Sequence, residues 1–283
     1  MSDPDQFVDP IVEVPDTATV DSLALMHVTA EGVATVTINR PDKKNAFNAE
    51  VIAALREAFE TLKGQEGVRI VFLEGSGGSF SAGADLEWMR DAAEHTEADN
   101  RDDAMQMAIM LKHLYDLPAL TVALVDGGAF GGGAGLAAAC DLAIATKDAK
   151  FAFSEVRLGL IPATISPYVV AAIGPRRARG LFATGRMFDA GYAREIGLVD
   201  EVVPSSAALA DAKARLAREI MACAPDAVDE AKRLVEFVAE HPDINHHVMD
   251  ETAKRIARIR VGAEGQEGVR AFLARTSPSW AEP

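Results

Sequence analysis

Cysteine is scarce: the 283-residue chain carries two, Cys140 and Cys223. A disulfide framework needs more than that, so none is expected. Both sit among small apolar residues, in AAACDL and MACAP, and are read as reduced thiols in or near the core. Positive charge is also short, with 28 Lys and Arg against 43 Asp and Glu and a net charge of −15. A surface this acidic argues against nucleic-acid phosphate as the main partner, while a local pocket can still hold an anion. No apolar run approaches the roughly 20 residues of a membrane span. The first ten residues, MSDPDQFVDP, lack the basic and apolar regions of a signal peptide. A cytoplasmic protein without nucleic-acid or membrane partners is therefore expected. HExxH, P-loop and GxSxG motifs are missing, which removes support for zinc hydrolase, NTPase and serine hydrolase chemistry. His246 and His247 are adjacent on a helical stretch and point to different faces, poor geometry for a metal.

What is present is an ordinary globular balance, 49% hydrophobic and 25% charged. Residues 1–22, rich in Asp, Pro and Thr, read as a loose tail. LALMHV and VATVTINR read as strands joined by a turn at TAEG, and NAEVIAALREAFETLKG as a helix ending on Gly64. VRIVFLEGS and ALTVALVDGG read as buried strands, each running into a glycine-rich loop. A helix-rich segment over about 85–116 lies between them. CDLAIAT and AKFAFS follow as short strands. Past about residue 205 strand signals stop, and three helical stretches follow. The pattern predicts an α/β fold with parallel strands over 23–204 and a C-terminal helical region over 205–283.

The segment DGGAFGGGAGLAAACDL (126–142) places glycine at a strand-to-helix junction, where it costs stability. Three readings compete. GAGLAA (133–138) matches a dinucleotide fingerprint, but it lies mid-chain and lacks the acidic ribose-binding residue at the right distance. Small residues could serve tight packing alone. Or the helix start could present free N–H groups to a carbonyl oxygen, with a second donor from the loop GGSFSAGADL.

The stretches INRPDKKNAFN (38–48), GSFSAGADL (78–86), DGGAFGGGAGLAAACDLAIA (126–145), FSEVRLGLIP (153–162), 173–204 and EGQEGVRAFLARTSPSW (264–280) together resemble the crotonase superfamily of enoyl-CoA hydratases and isomerases. The resemblance runs from about residue 25 to the end of the chain. It implies a spiral of ββα turns, an acyl-CoA thioester substrate, no separate cofactor, and a homotrimer or homohexamer assembled through the C-terminal helices. It places the oxyanion donors on Ala84 and Gly132. Coenzyme A contacts are expected around Lys44, Ala46, Ala82, Ala84, Asp85 and Leu86, with Lys43 and Arg275 as further cations.

Hydratases of this superfamily commonly use two glutamates. The second matches Glu155; the first would stand at Gly135, so the sequence departs from that pattern. Glu155 alone could move a proton between two carbons, as in single-glutamate isomerases. The wider wording is most similar to bacterial methylglutaconyl-CoA hydratases of leucine or terpene breakdown, which also carry glycine there. Hydration is therefore expected, with isomerisation and a silent acyl-CoA-binding protein as alternatives. Arg157 is a candidate partner for a substrate carboxylate or for an ordinary salt bridge. His113 and Tyr115 are candidates for lining the acyl pocket.

Overall fold

The computed structural model describes residues 22–281. The tail expected over 1–22 thus lies outside the described residues except for Ser22. Strands β1 (Ala24–Val28) and β2 (Val33–Ile38) form a hairpin whose turn closes on Gly32 at φ +85°. Helix α1 (Ala49–Gly64) follows. Its N-cap Asn48 accepts the Val51 N–H, and Val51, Ile52, Leu55, Phe59 and Leu62 form its buried stripe. Then come β3 (Ile70–Gly75), α2 (Leu86–Ala92), α3 (Glu97–Tyr115), β4 (Leu120–Val125), β5 (Gly128–Phe130), α4 (Gly132–Ala139), β6 (Leu142–Thr146) and β7 (Lys150–Ala152). Next are α5 (Ser166–Ile173), α6 (Pro175–Thr184), β8 (Met187–Asp189), α7 (Ala190–Ile196) and β9 (Glu201–Val203). The C-terminal helices are α8 (Ser206–Met221), α9 (Pro225–Glu240), α10 (His246–Val261) and α11 (Ala263–Ala274).

The main sheet has six strands in the order β1-β2-β3-β4-β6-β9, parallel except for the β1–β2 pair. A second sheet orders β5-β7-β8. The chain therefore alternates: β4 in the first sheet, β5 in the second, then α4; β6 in the first, β7 in the second, then α5. The turn after β3 repeats this in reduced form, with Ser81 bridging Ala129 of β5 before α2 and α3. This is the ββα spiral expected of the sequence.

Central parallel strands must be covered on both faces, and β3 and β4 are buried along nearly their whole lengths. Val71, Leu73, Ala123 and Val125 face α1 and α4; Ile70, Phe72, Val122 and Leu124 face Leu209, Leu216 and Ile220 of α8. Farther out, α9 buries no residue fully, and Val235, Val238, Phe272 and Leu273 of α9 and α11 are exposed.

Two details differ from the sequence reading. Cys223 is exposed, because it lies just past the end of α8 where the chain leaves the sheet; Cys140 is the sheltered thiol, and burial pushes it far above the usual thiol range. The glycine cluster also opens with a short strand, β5. Three residues pairing with β7 are too few to show an alternating pattern among so many glycines.

Candidate active site

In a parallel sheet the loops at the carboxyl ends of the strands gather on one edge, where ligands bind. The loops after β3 and β4 meet there. The first passes beside residues 44–47: Ala82 N–H donates to Lys44 O (2.9 Å), Phe47 N–H to Gly83 O (2.7 Å) and Asp85 N–H to Phe47 O (2.8 Å). Along an extended backbone successive N–H groups alternate sides. That of Ala84 consequently faces away from Phe47 and finds no acceptor among the described residues. Ala84 itself is exposed.

Side chains clamp this loop. Asp85, 4% exposed, caps α2 by accepting the N–H groups of Glu87 (2.7 Å) and Trp88 (3.4 Å). Its other oxygen pairs with Arg40 Nη1 at 2.6 Å, and the same nitrogen donates to Ala46 O at 3.1 Å. Burial alone would push the Asp85 carboxyl up, but the donors on Glu87, Arg40 and Trp88 outweigh it and hold the group below the usual carboxylate range. Buried Asn45, at φ +57°, accepts the Arg40 N–H (2.8 Å) and donates to Ser76 O (2.9 Å) and Ser79 O (2.6 Å). Ser81 Oγ donates to Asn45 O at 2.8 Å.

The second loop is held by close approach instead. Gly131 adopts φ +50°, ψ −116°, a conformation open to glycine. Its N–H donates to Ala152 O (2.9 Å), so the next, that of Gly132, is the first in α4 without an acceptor among the described residues. It carries the positive end of the helix macrodipole. A Cβ on Gly83 would lie 2.8 Å from Phe130 O, so the two loops touch one residue before Ala84 and within two residues of Gly132. A Cβ on Gly132 would lie 2.5 Å from Met107 Cε and 2.9 Å from Phe47 Cε2; one on Gly133 would lie 2.8 Å from Ser81 Cβ. The glycines are there because the second loop is pressed against the first.

Glu155 opens a 3-10 turn, Glu155–Leu158, after β7. A Cβ on Gly131 would lie 3.0 Å from Glu155 Oε1, so the carboxylate stands against the start of α4, next to the Gly132 donor. Oε2 is buried and has no hydrogen-bond partner among the described residues. Burial raises the proton affinity of Glu155, opposed only by a bond from its own N–H.

Gly135, one turn along α4, is no open position. A Cβ there would lie 2.1 Å from Ile165 Cγ2 and 2.6 Å from Ile165 Cβ. The space beside it is taken by Ile165, the residue before α5.

The remaining candidates spread out. Arg157 makes no salt bridge among the described residues; its side chain lies against Gly185, whose Cβ would be 3.3 Å from Arg157 Cγ. Tyr115 packs on Tyr168 and lines a cavity of about 230 Å³ with Ala137, Cys140 and Asp141, at the opposite end of α4 from Glu155. His113, two residues before Tyr115, has a buried Nδ1 without a partner among the described residues. His247 packs edge-on against Phe237 and tilted against His241, and no cluster of metal-ligating side chains occurs among the described residues. Lys44 and Leu86 are exposed along the first loop, Ala46 is buried, and Lys43 pairs with Glu87 at 3.5 Å. Arg275 is exposed just past α11. Sequence reasoning assigned no role to Arg40, Asn45 or Ile165. The readable hint was Asp85 directly before a helical stretch, an N-cap position.

Comparison with known proteins agrees with this geometry. A family profile described as enoyl-CoA hydratase/isomerase matches residues 28–283. The 1,2-epoxyphenylacetyl-CoA isomerase of Escherichia coli (strain K12) is 31% identical over 265 residues, covering 90% of this chain and 97% of that protein. The structure of an enoyl-CoA hydratase from Shewanella pealeana superposes with a TM-score of 0.87 at 39% identity, covering 91% of this chain and 96% of that one. Pseudomonas aeruginosa AtuE does so with a TM-score of 0.87 at 34% identity, covering 92% of this chain and 100% of that one. With its ββα spiral and paired strand-end loops, the chain belongs to the enoyl-CoA hydratase/isomerase family of the crotonase superfamily.

Proposed function

We propose that the protein is an enoyl-CoA hydratase, acting on a methylglutaconyl-CoA-like thioester. The observation that carries this is the Glu155 carboxylate, with one unpartnered oxygen, set against Gly131 at the start of the helix that offers the Gly132 N–H. The thioester oxygen accepts hydrogen bonds from the N–H groups of Ala84 and Gly132. Glu155 takes a proton from water as the water oxygen bonds to C3. The C2–C3 π electrons move onto the thioester as an enolate, whose oxyanion the two donors hold. The protonated Glu155 then gives its proton to C2, so one molecule of water is added and the carboxylate is restored. Coenzyme A runs along the ridge of Lys44, Ala82, Ala84 and Leu86. Asp85 serves that ridge from inside, as a clamp. The substrate's branching rests on the sequence resemblance alone.

A second reading is favoured by Ile165, whose packing on Gly135 leaves a single carboxylate. Glu155 then takes a proton from C4 and returns it at C2, and no water is added. The deciding experiment follows a panel of enoyl-CoA thioesters by absorbance and mass. Hydration adds the mass of water; isomerisation leaves it unchanged. Glu155→Gln should lower turnover by roughly 10²–10⁴-fold with acyl-CoA binding retained. Near-normal turnover in that variant would move the chemistry elsewhere, and an inert parent that still binds acyl-CoA would make it a binding protein.

A homotrimer or a pair of trimers completes the proposal. The exposed Val235, Val238, Phe272 and Leu273 on the C-terminal helices are apolar surface that a further copy would cover. Light scattering at micromolar concentration should give three or six times the chain mass of 30.1 kDa. A single-chain mass would overturn it.

A further inference from the structure

Residues 131 and 135 lie one turn apart on the same face of α4, linked by the Gly135 N–H to Gly131 O bond at 3.0 Å. What covers that face changes from one turn to the next. Over Gly131 stands the Glu155 carboxylate; over Gly135 stands the Ile165 side chain, 2% exposed. Both coverings belong to one loop, residues 155–165, which leaves β7 and enters α5. The loop folds on itself through Leu160 N–H to Glu155 O (3.0 Å) and Ser166 N–H to Ala163 O (3.1 Å). A side chain at 135 would project into Ile165 at its Cβ and Cγ2, the branched root of the residue, which cannot swing aside as the tip of a long chain can. The glycine and the isoleucine are thus two halves of one fit.

We infer that Ile165 is a specificity-determining positioning residue: by filling the space that a side chain at 135 would need, it keeps this a one-carboxylate site and leaves Glu155 to act alone. Loss of a glutamate at 135 would by itself open a hole; Ile165 closes it with hydrocarbon. No charged side chain of α4 or of the 155–165 loop meets Glu155 in exchange, since Gly131 and Gly135 have none and Arg157 turns to Gly185. The Glu155 Oε2 accordingly stays without a partner among the described residues. This role rests on the reading of Glu155 as the acid–base group.

The test compares Gly135→Glu, Ile165→Ala and the double variant by thermal midpoint, by kcat and KM on a straight-chain enoyl-CoA, and by pH–rate profile. Gly135→Glu alone should lower the midpoint by about 5–10 °C and lose activity, because it overpacks the joint. The double variant should regain most of that midpoint. Its kcat for hydration should exceed that of Ile165→Ala by at least about 10-fold with little change in KM, as a second carboxylate joins the first. Ile165→Ala alone should move the acid limb of kcat to lower pH, since water can then reach Glu155. A residue packed on Gly135 with no bearing on Glu155 would leave that limb where it was. Gly135→Glu as stable as the parent overturns the proposal, as does a folded double variant no faster than Ile165→Ala. Should the double variant not fold, an unmoved acid limb in Ile165→Ala overturns it. A parent inert toward every enoyl-CoA would overturn the Glu155 reading and this role together, whereas the midpoints alone would still report whether Ile165 excludes a side chain at 135.

Discussion

The two loops that build the site are held by opposite means. The loop after β3 is fixed by polar side chains: the Arg40–Asp85 pair at 2.6 Å, the three bonds of the Asn45 side chain, and the Ser81 hydroxyl. The loop after β4 is fixed by the lack of side chains, with neighbours approaching Gly132 and Gly133 more closely than a Cβ permits and Gly131 in a positive-φ backbone conformation open to glycine. A polar clamp holds one N–H donor by charge and hydrogen bonds. A glycine joint holds the other by contact alone. The first should fail by losing stability, and the second by losing geometry.

Breaking each loop in its own way tests that difference. Asp85→Ala strands the guanidinium of Arg40, whose side chain is 15% exposed, and removes the α2 cap. Leaving one partner of a buried pair uncompensated costs about 3–5 kcal/mol, so a large fall in the denaturation midpoint is expected. Gly132→Val should cost about 1–3 kcal/mol, because Met107 Cε can move from the new Cβ but the buried Phe47 ring cannot move far. Its turnover should fall by about 10²–10³-fold if the Gly132 N–H, as proposed, is an oxyanion donor. Equal stability losses in the two variants, or full turnover in Gly132→Val, would erase the distinction between clamp and joint.

The same contrast explains what could be read in the sequence. A glycine cluster between a buried strand and a small-residue helix is conspicuous as text, so the second loop and its helix were legible, while the choice of Gly132 within it came from the family resemblance. Glu155 was legible only through family wording, since one carboxylate after a strand has no period or spacing of its own. The clamp was hidden for a different reason: Arg40 and Asp85 are 45 positions apart, and only the fold brings them to hydrogen-bonding distance. Ile165 was hidden most completely. Its effect depends on which atom faces Gly135 from the loop before α5, and in sequence it is one more apolar residue. The glycine at 135 was legible as a missing glutamate, but a missing side chain says nothing about what grows into its place.

The smallest expected effect separates by sign the carboxylate of the clamp from the one that stands over the glycine joint. Asp85 and Glu155 are both sheltered carboxylates, but donors hold the first below the usual range while burial lifts the second above it. For Asp85, the native state prefers the ion, so its stabilisation is present above the ordinary carboxylate value of about 4 and is lost as pH falls through the lowered folded value. For Glu155, the native state prefers the proton. Its contribution is full below the unfolded value and disappears as pH rises through the raised folded value, so at neutral pH the ion sits in a setting that disfavours it. Glu155→Gln should therefore raise the thermal midpoint at neutral pH, and the gain should shrink in acid, where the parent is protonated in both states. Asp85→Asn should do the reverse, losing stability at neutral pH and converging on the parent in strong acid. Midpoints of both variants measured between acid and neutral pH give two curves of opposite slope. A Glu155→Gln variant less stable than the parent at neutral pH would mean that the carboxylate has an ionic partner after all, and the glycine joint would then be a second clamp.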